Sequence, residues 1–338
     1  MWTQKRRNAV ECQYSICDGR HELAQWCKFS PPASQTAAKV RSVKPSAPSL
    51  FLQFAPIIFV LIWSTGWISA QFGVFYADPL TFLSLRFALA GLCMAGVSLL
   101  FGAQWPKGRN HWLHAMMSGI LLHAIYLGGV WWAIHAGLAS GLSGLIAALQ
   151  PILTAFLAPM LIRETITRQQ WLGIAFGFTG IIFVLHPKFA ALGSSVFIET
   201  ALPIIINSIA MLSVTLGTFY QKRFVPAGDL RTITALQYCG AFVVILPAAY
   251  FLEPMRMDWS ITLFAVMAWS VLALSLGAIG LLLVLIRNGA VSRAATLIYL
   301  VPPAVALQAY LIFGETLDAF QIGGMALTVA GVALATRK

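Results

Sequence analysis

The chain has 338 residues, of which 59% are hydrophobic and 10% charged, with a mean hydropathy of +0.80. Soluble domains are about 45–50% apolar and about 25% charged, so a soluble globular protein is excluded and the lipid bilayer is the natural solvent. The formal net charge of +11, from 22 Lys and Arg against 11 Asp and Glu, would raise nucleic acid as a partner in a soluble protein, but the positions of the charges exclude it.

Residues 1–49 are polar, basic and rich in Ser, Pro and Ala, with no apolar run before Leu50. They lack the core of a cleavable signal peptide and are expected to form a disordered cytoplasmic tail. From there on, apolar windows of about 20 residues recur, the length that crosses about 30 Å of hydrocarbon. Ten are read, at 51–74, 80–101, 112–134, 138–162, 170–187, 196–219, 231–252, 260–285, 290–313 and 320–336. The linkers carry helix breakers: Asp78-Pro79, Gly102 to Gly108, His186-Pro187, Pro226 to Gly228, Glu253-Pro254 and Asn288-Gly289. Between the third and fourth windows only His135 to Gly137 interrupts the run.

The charges test this division. With the tail inside and ten alternating crossings, 19 of the 22 basic residues fall inside, only Lys188 and Arg256 fall outside, and Arg86 lies within a span. Such a bias is what the positive-inside rule demands, and adding or removing one span would scramble it. Both termini are expected in the cytoplasm. The five cysteines, Cys12, Cys17, Cys27, Cys93 and Cys239, include no CxxC pair, so no zinc site or disulfide framework is indicated. No cofactor and no metal are expected.

Sliding the chain on itself by 151 residues aligns 151–180 with 302–331 without a gap. Nine of the thirty positions are identical, among them Pro151/Pro302, Glu164/Glu315, Gly173/Gly324 and Gly180/Gly331, where shared composition alone gives about three. The same offset pairs Asp78 with Asp229, Thr81 with Thr232 and Arg86 with Gln237. Two repeats of five spans are read, over 50–188 and 195–338. An odd number of spans inverts the second copy, and its loop Gly314-Glu315-Thr316-Leu317-Asp318 lacks the basic residues of Arg163 to Arg168. The fold class expected is therefore an all-α integral membrane protein of ten transmembrane helices in two inverted-topology five-helix repeats. Two pseudo-symmetric halves can exchange conformations and open one central site to either side in turn.

The run Trp63-Ser64-Thr65-Gly66-Trp67, then Ala77-Asp78-Pro79-Leu80-Thr81-Phe82, then Leu85-Arg86-Phe87, resembles the opening of bacterial EamA-type proteins of the drug/metabolite transporter superfamily. The Pro151, Glu164-Thr165, Gly173, Gly180 string and its second copy resemble the closing half of that family's repeat. Position 67 is Trp where relatives often have Phe. The resemblance covers about residues 50–338. It implies an inner-membrane permease that moves amino acids or other small metabolites, often outward, around a central cavity.

Several residues are candidates for lining that pathway. Arg86 is the charge away from span ends; since burying it in lipid costs upward of about 2.5 kcal/mol, it should face a cavity or a partner, with snorkelling to headgroups as the other reading. Trp63, Trp67 and Gln71 share one helical face, which would waste the amide if it met lipid. His123 with Tyr126, Asn207 with Met211 and Thr215, and Tyr299 one turn before Pro303 can bind a small organic solute or bond helix to helix. Pro151 and Pro302, at matching positions of the two halves, interrupt helices near mid-membrane, which marks either a binding site or a packing kink. Glu164 and Glu315 are read as loop or capping residues at helix ends.

The expected partners are a small-molecule substrate and the bilayer; a monomer suffices, and no nucleic acid is expected. Neutral or zwitterionic solutes are favoured, because phosphorylated sugars would require two or more cavity cations and only Arg86 is available. A membrane-embedded enzyme would require a clustered nucleophile, acid/base pair or metal site. The carboxylates are scattered singly and the His111/His114 pair has no further ligands in its vicinity in sequence.

Overall fold

Asp78-Pro79, Gly102 to Gly108 and Glu253-Pro254 become helix ends in the structure, a computed structural model that describes residues 50–162, 167–190, 197–225, 228–278, 280–281 and 301–335, whereas His186-Pro187, expected as a linker, lies inside a helix that runs on to Ala190. Ten helical segments run through the described residues. They are α1 Leu50–Tyr76, α2 Pro79–Leu100, α3 Arg109–His135, α4 Ser140–Leu161, α5 Arg168–Ala190, α6 Phe197–Phe224, α7 Leu230–Leu252, α8 Ile261–Gly277, α9 Val301–Phe313 and α10 Ala319–Ala335. Helix accounts for 86% of the structure, with no strand among the described residues.

Local chemistry explains where the helices begin and end. Asp78 and Asp229, 151 residues apart, are the N-caps of α2 and α7. The first turns of α5 and α10 are closed reciprocally. Thr167 N donates to Gln170 Oε1 at 2.8 Å while Gln170 N donates to Thr167 Oγ1 at 3.2 Å, and Asp318 with Gln321 repeats the exchange at 3.0 and 2.8 Å. Each exchange satisfies two backbone donors that the helix leaves open. The short break between the third and fourth windows is real: Gly137 adopts φ +94°, Leu138 N donates to Ala133 O and Gly137 N to Ile134 O. This closure requires a left-handed residue, for which glycine carries no Cβ penalty.

Among the described residues, six helices are long and apolar enough to cross a membrane: α1 over Ile57–Tyr76, α2, α3, α4, α6 over Ala201–Phe224, and α7. Ile261–Gly277, Val301–Phe313 and Ala319–Leu334 are shorter apolar helices. The windows expected at 260–285 and 290–313 run into residues 282–300, which lie outside the described residues, as do the 1–49 tail, Glu164 and Tyr299. Leu92, Leu100, Leu252 and Ile261 are among the large apolar side chains left exposed, Ile261 by 85%. Such a coat is unfavourable in water and natural in lipid.

The most extensive helix pair is α5 with α10, followed by α2 with α7 and α3 with α6, and in the first two of these the partners begin 151 residues apart. Glycine makes the first pair possible. A Cβ on Gly324 would lie 2.5 Å from the carbonyl oxygen of Gly180, and one on Gly331 would lie 2.6 Å from that of Gly173. Only hydrogen fits there, the small-residue contact through which helices associate in lipid.

At the end where α1 meets α2, loops of the two halves are tied together. Glu253, just after α7, accepts from Leu80 N at 2.9 Å and from Thr81 N at 2.8 Å. Asp78 accepts from Arg256 N at 2.7 Å, and Ala77 bridges to Met257.

Candidate functional site

Arg86 sits two turns into α2 and is only 6% exposed. Its Nε and Nη2 both donate to Ser275 Oγ at 3.4 Å, a long contact. No carboxylate pairs with it among the described residues, where the ion pairs are Arg231–Asp229 and Arg256–Asp258. A buried cation with one long-range hydroxyl partner is electrostatically unfinished, since desolvating an ion costs several kcal/mol unless a counter-charge and good hydrogen bonds offset it.

Two irregular turns bring side chains to face it. α3 widens to π-helix over Ile120–Ile125, and α8 does so over Trp269–Gly277. His123 lies in the first turn, with Leu274 and Ser275 in the second, and His123 and Leu274 are related by the 151-residue offset. A π-turn inserts an extra residue and rotates the following face, which is why such turns often occur at functional sites.

Around Arg86 lies a cavity of about 260 Å³. Trp63 and Trp67 of α1 form one wall. His123, Tyr126 and Trp131 of α3 form another. Tyr238 of α7 stacks on His123, with ring centroids 4.7 Å apart, and on Phe87 at 6.0 Å. Towards the ends of α6 and α7 that carry Lys222, Arg223 and Arg231, the wall continues to Gln221 and Leu230. Three pairs in this wall are 151 residues apart: Trp63 and Val214, Arg86 and Gln237, His123 and Leu274. The cavity therefore lies where the two halves meet.

Its polar groups are unevenly satisfied. Gln237 Nε2 donates to Ser118 Oγ at 3.0 Å and to Gln221 Oε1 at 3.1 Å, so that amide is engaged. Trp67 Nε1 and His123 Nε2 are buried and have no hydrogen-bond partner among the described residues. Buried polar atoms in folded proteins are nearly always bonded, and each exception requires an explanation.

The other candidates fall at graded distances from this centre. Pro151 and Pro302 line a smaller space of about 30 Å³ that shares Trp63 and Trp67 with the main cavity. Pro151 follows an interruption of α4 at Ala147–Ala148. Gln71 is not in the wall of either space, and its Oε1 is buried without a partner among the described residues. Asn207 is also away from the cavity wall: it accepts from Ser143 Oγ at 3.1 Å and donates from Nδ2 to Ser143 O at 3.3 Å, so both ends of its amide hold α6 to α4. Thr215 bonds Met211 O at 2.8 Å within α6. Tyr299 lies outside the described residues. His111 and His114 are separately engaged, with Lys107 O and with the Tyr220 hydroxyl.

Sequence reasoning missed Trp131, Ser275, Gln237 and Tyr238. Gln237 was detectable as the offset mate of Arg86. Ser275 lies in a π-turn that no recognisable pattern encodes and Trp131 follows the other one in α3, while Tyr238 is one aromatic residue among many in an apolar helix.

With this geometry in place, the comparisons with known proteins are specific. The sequence pattern of the EamA-like transporter family matches residues 51–186 and again 201–337. The chain is 29% identical over 278 residues to an inner membrane transporter, YedA, of Escherichia coli (strain K12), covering 82% of this chain and 87% of that protein. It is 24% identical over 293 residues to a Salmonella typhimurium protein named as a probable amino-acid metabolite efflux pump, covering 82% and 92%. A solved crystal structure shares the fold with a TM-score of 0.58 at 19% identity, covering 84% of this chain and 97% of that one.

Proposed function

Since this chain belongs to the EamA-like transporter family, a family of membrane permeases and not of enzymes, we propose that it exports small neutral or zwitterionic metabolites, amino acids among them, through the cavity around Arg86. The observation that carries this reading is the position of that cavity. It is walled by offset-related residues from both halves, holds one buried cation, and is otherwise lined by aromatic and aliphatic side chains with a few neutral polar groups, suited to an organic solute.

On this reading the ten helices form two five-helix repeats of opposite topology, and transport proceeds by alternating access. The pairing of α2 with α7 and of α5 with α10, each offset by 151 residues, supports that arrangement. The end tied by Glu253, Asp78 and Arg256 is the closed external side, and the cavity extends toward the basic ends of α6 and α7 on the cytoplasmic side. The distribution of Lys and Arg supports this orientation, with both termini in the cytoplasm. Outward movement is favoured by the efflux role in the printed name of the Salmonella relative.

Reconstitution of the full chain into proteoliposomes with a panel of radiolabelled amino acids and small metabolites, with and without a pH gradient, tests the proposal. Saturable flux of at least one solute is expected, reduced about 10- to 100-fold by Arg86→Gln. Flux of none of them, or flux indifferent to Arg86→Gln, refutes it.

A further inference from the structure

Resting on the reading that this cavity holds the transported solute, we infer that the obligatory recognition group of that solute is a carboxylate and that its ammonium group is dispensable. The substrate class is then wider than neutral or zwitterionic solutes: small organic monocarboxylates with an apolar or aromatic body, in which zwitterionic amino acids and the matching monoanionic 2-hydroxy acids are equivalent.

The donors and acceptors around the cavity are unbalanced. On the donor side stand the Arg86 guanidinium, whose hydrogen bonds among the described residues are two long ones to a single hydroxyl, and Trp67 Nε1, buried with no partner among the described residues. His123, whose side chain lies beside that of Gln237 and whose Nε2 has no partner within hydrogen-bond geometry among the described residues, adds a third donor when its ring proton is on that nitrogen. On the acceptor side, the wall contains no carboxylate among the described residues. Its neutral acceptors are the hydroxyls of Tyr126, Tyr238 and Thr234 and the amide oxygens of Gln237 and Gln221, the last already taken by Gln237 Nε2.

A ligand that completes this site must therefore bring oxygen acceptors and negative charge. A carboxylate supplies both in the planar shape that a guanidinium fork accepts. A phosphate monoester would place a second negative charge beside a single cation. An ammonium would meet no carboxylate among the described residues, only ring faces and the neutral oxygens of Tyr126, Tyr238, Thr234 and Gln237, while the guanidinium repels it. The apolar remainder of the solute lies against Trp63, Tyr126, Trp131 and Tyr238, which accept aliphatic and aromatic bodies alike.

Four probes with a common carbon skeleton separate the groups: leucine, 2-hydroxy-4-methylpentanoate, leucinamide and 3-methylbutylamine. Binding to the full-length protein in detergent is read by the shift in thermal unfolding and by tryptophan fluorescence, and movement by counterflow in proteoliposomes. Leucine and the hydroxy acid should bind within about tenfold of one another, with the amide and the amine about 10- to 100-fold weaker. Arg86→Gln should remove most of the preference for the acids, leaving at most the several-fold share of the Trp67 donor. Trp67→Phe keeps the ring and removes the donor; it should weaken the two acids several-fold and leave the two cations unchanged, and it serves where Arg86→Gln does not fold.

Binding of the amine as tight as that of the hydroxy acid, a preference for acids that survives Arg86→Gln undiminished, or binding of none of the four overturns the inference. If the acids bind with this selectivity but do not cross the membrane, the inference stands and the transport reading fails. If 3-methylbutylamine moves as readily as leucine, transport stands and the inference fails.

Discussion

Glu315, in the turn after α9, holds Ser140 at the start of α4 from 175 positions away in the chain. Its carboxylate accepts from the Ser140 backbone N–H at 3.1 Å and hydroxyl at 2.9 Å, and from Gly141 N at 2.8 Å. Three donors at a helix N-terminus meet one anion, the geometry that both the helix dipole and the unsatisfied first-turn N–H groups favour. Glu253 does the same for α2, adding the Thr81 hydroxyl at 2.9 Å to the Leu80 and Thr81 amides. In both cases the carboxylate comes from the second half of the chain and the helix from the first.

Removing either carboxylate should therefore loosen the link between the halves. Glu315→Ala and Glu253→Ala are each expected to cost about 1–3 kcal/mol, the value of charge-assisted hydrogen bonds left unmade. The two should add within about 0.5 kcal/mol, because they act on separate helices. Melting temperatures in one detergent, singly and combined, check both statements. A double variant as stable as the wild type would show that the caps contribute nothing.

The α5–α10 contact should tolerate no side chain. Gly324→Val and Gly180→Val place atoms on the opposing backbone, and the expected outcome is loss of monodisperse protein by size-exclusion chromatography. Gly323 offers the control one position away. A Cβ there meets nothing within 4 Å, so Gly323→Ala should retain the fold and gain up to about 1 kcal/mol from helix propensity.

Asn207 separates helix packing from solute recognition. Asn207→Ala leaves the Ser143 hydroxyl without its buried acceptor and should cost about 1–2 kcal/mol. Its effect on relative affinity among solutes should be nil, since the residue is absent from the cavity wall. A changed selectivity in binding assays would place Asn207 in the pathway after all.

Orientation is open to a direct chemical check. In a background without native cysteines, Gln221→Cys should react with a membrane-impermeant maleimide added to the cytoplasmic side, and Trp259→Cys, at a site 56% exposed, to the external side. Reactivity in the opposite sense would invert the proposed topology. Leu92→Cys, on a site 71% exposed among apolar neighbours, should react from neither side, because lipid covers it.

Much of the fold was legible in the sequence. Membrane spans depend on length and apolarity, helix ends on Gly, Pro and capping residues, and the repeat on identities at a fixed offset, all of which are local or one-dimensional properties. Arg86 was legible for the same reason, since a lone charge amid apolar residues calls for a partner or a cavity wherever the helix sits. What the sequence could not supply was rotational phase. In water the apolar stripe of a helix identifies its buried face, but lipid is as apolar as a protein core, so Trp63 and Asn207 both looked equally suited to a pathway. Packing decided between them, turning Trp63 to the cavity and pairing Asn207 with Ser143. The two π-turns acted in the same way, because one extra residue rotates everything after it by about 100°, and that rotation accompanies the arrival of His123, Leu274 and Ser275 at one cavity beside Arg86.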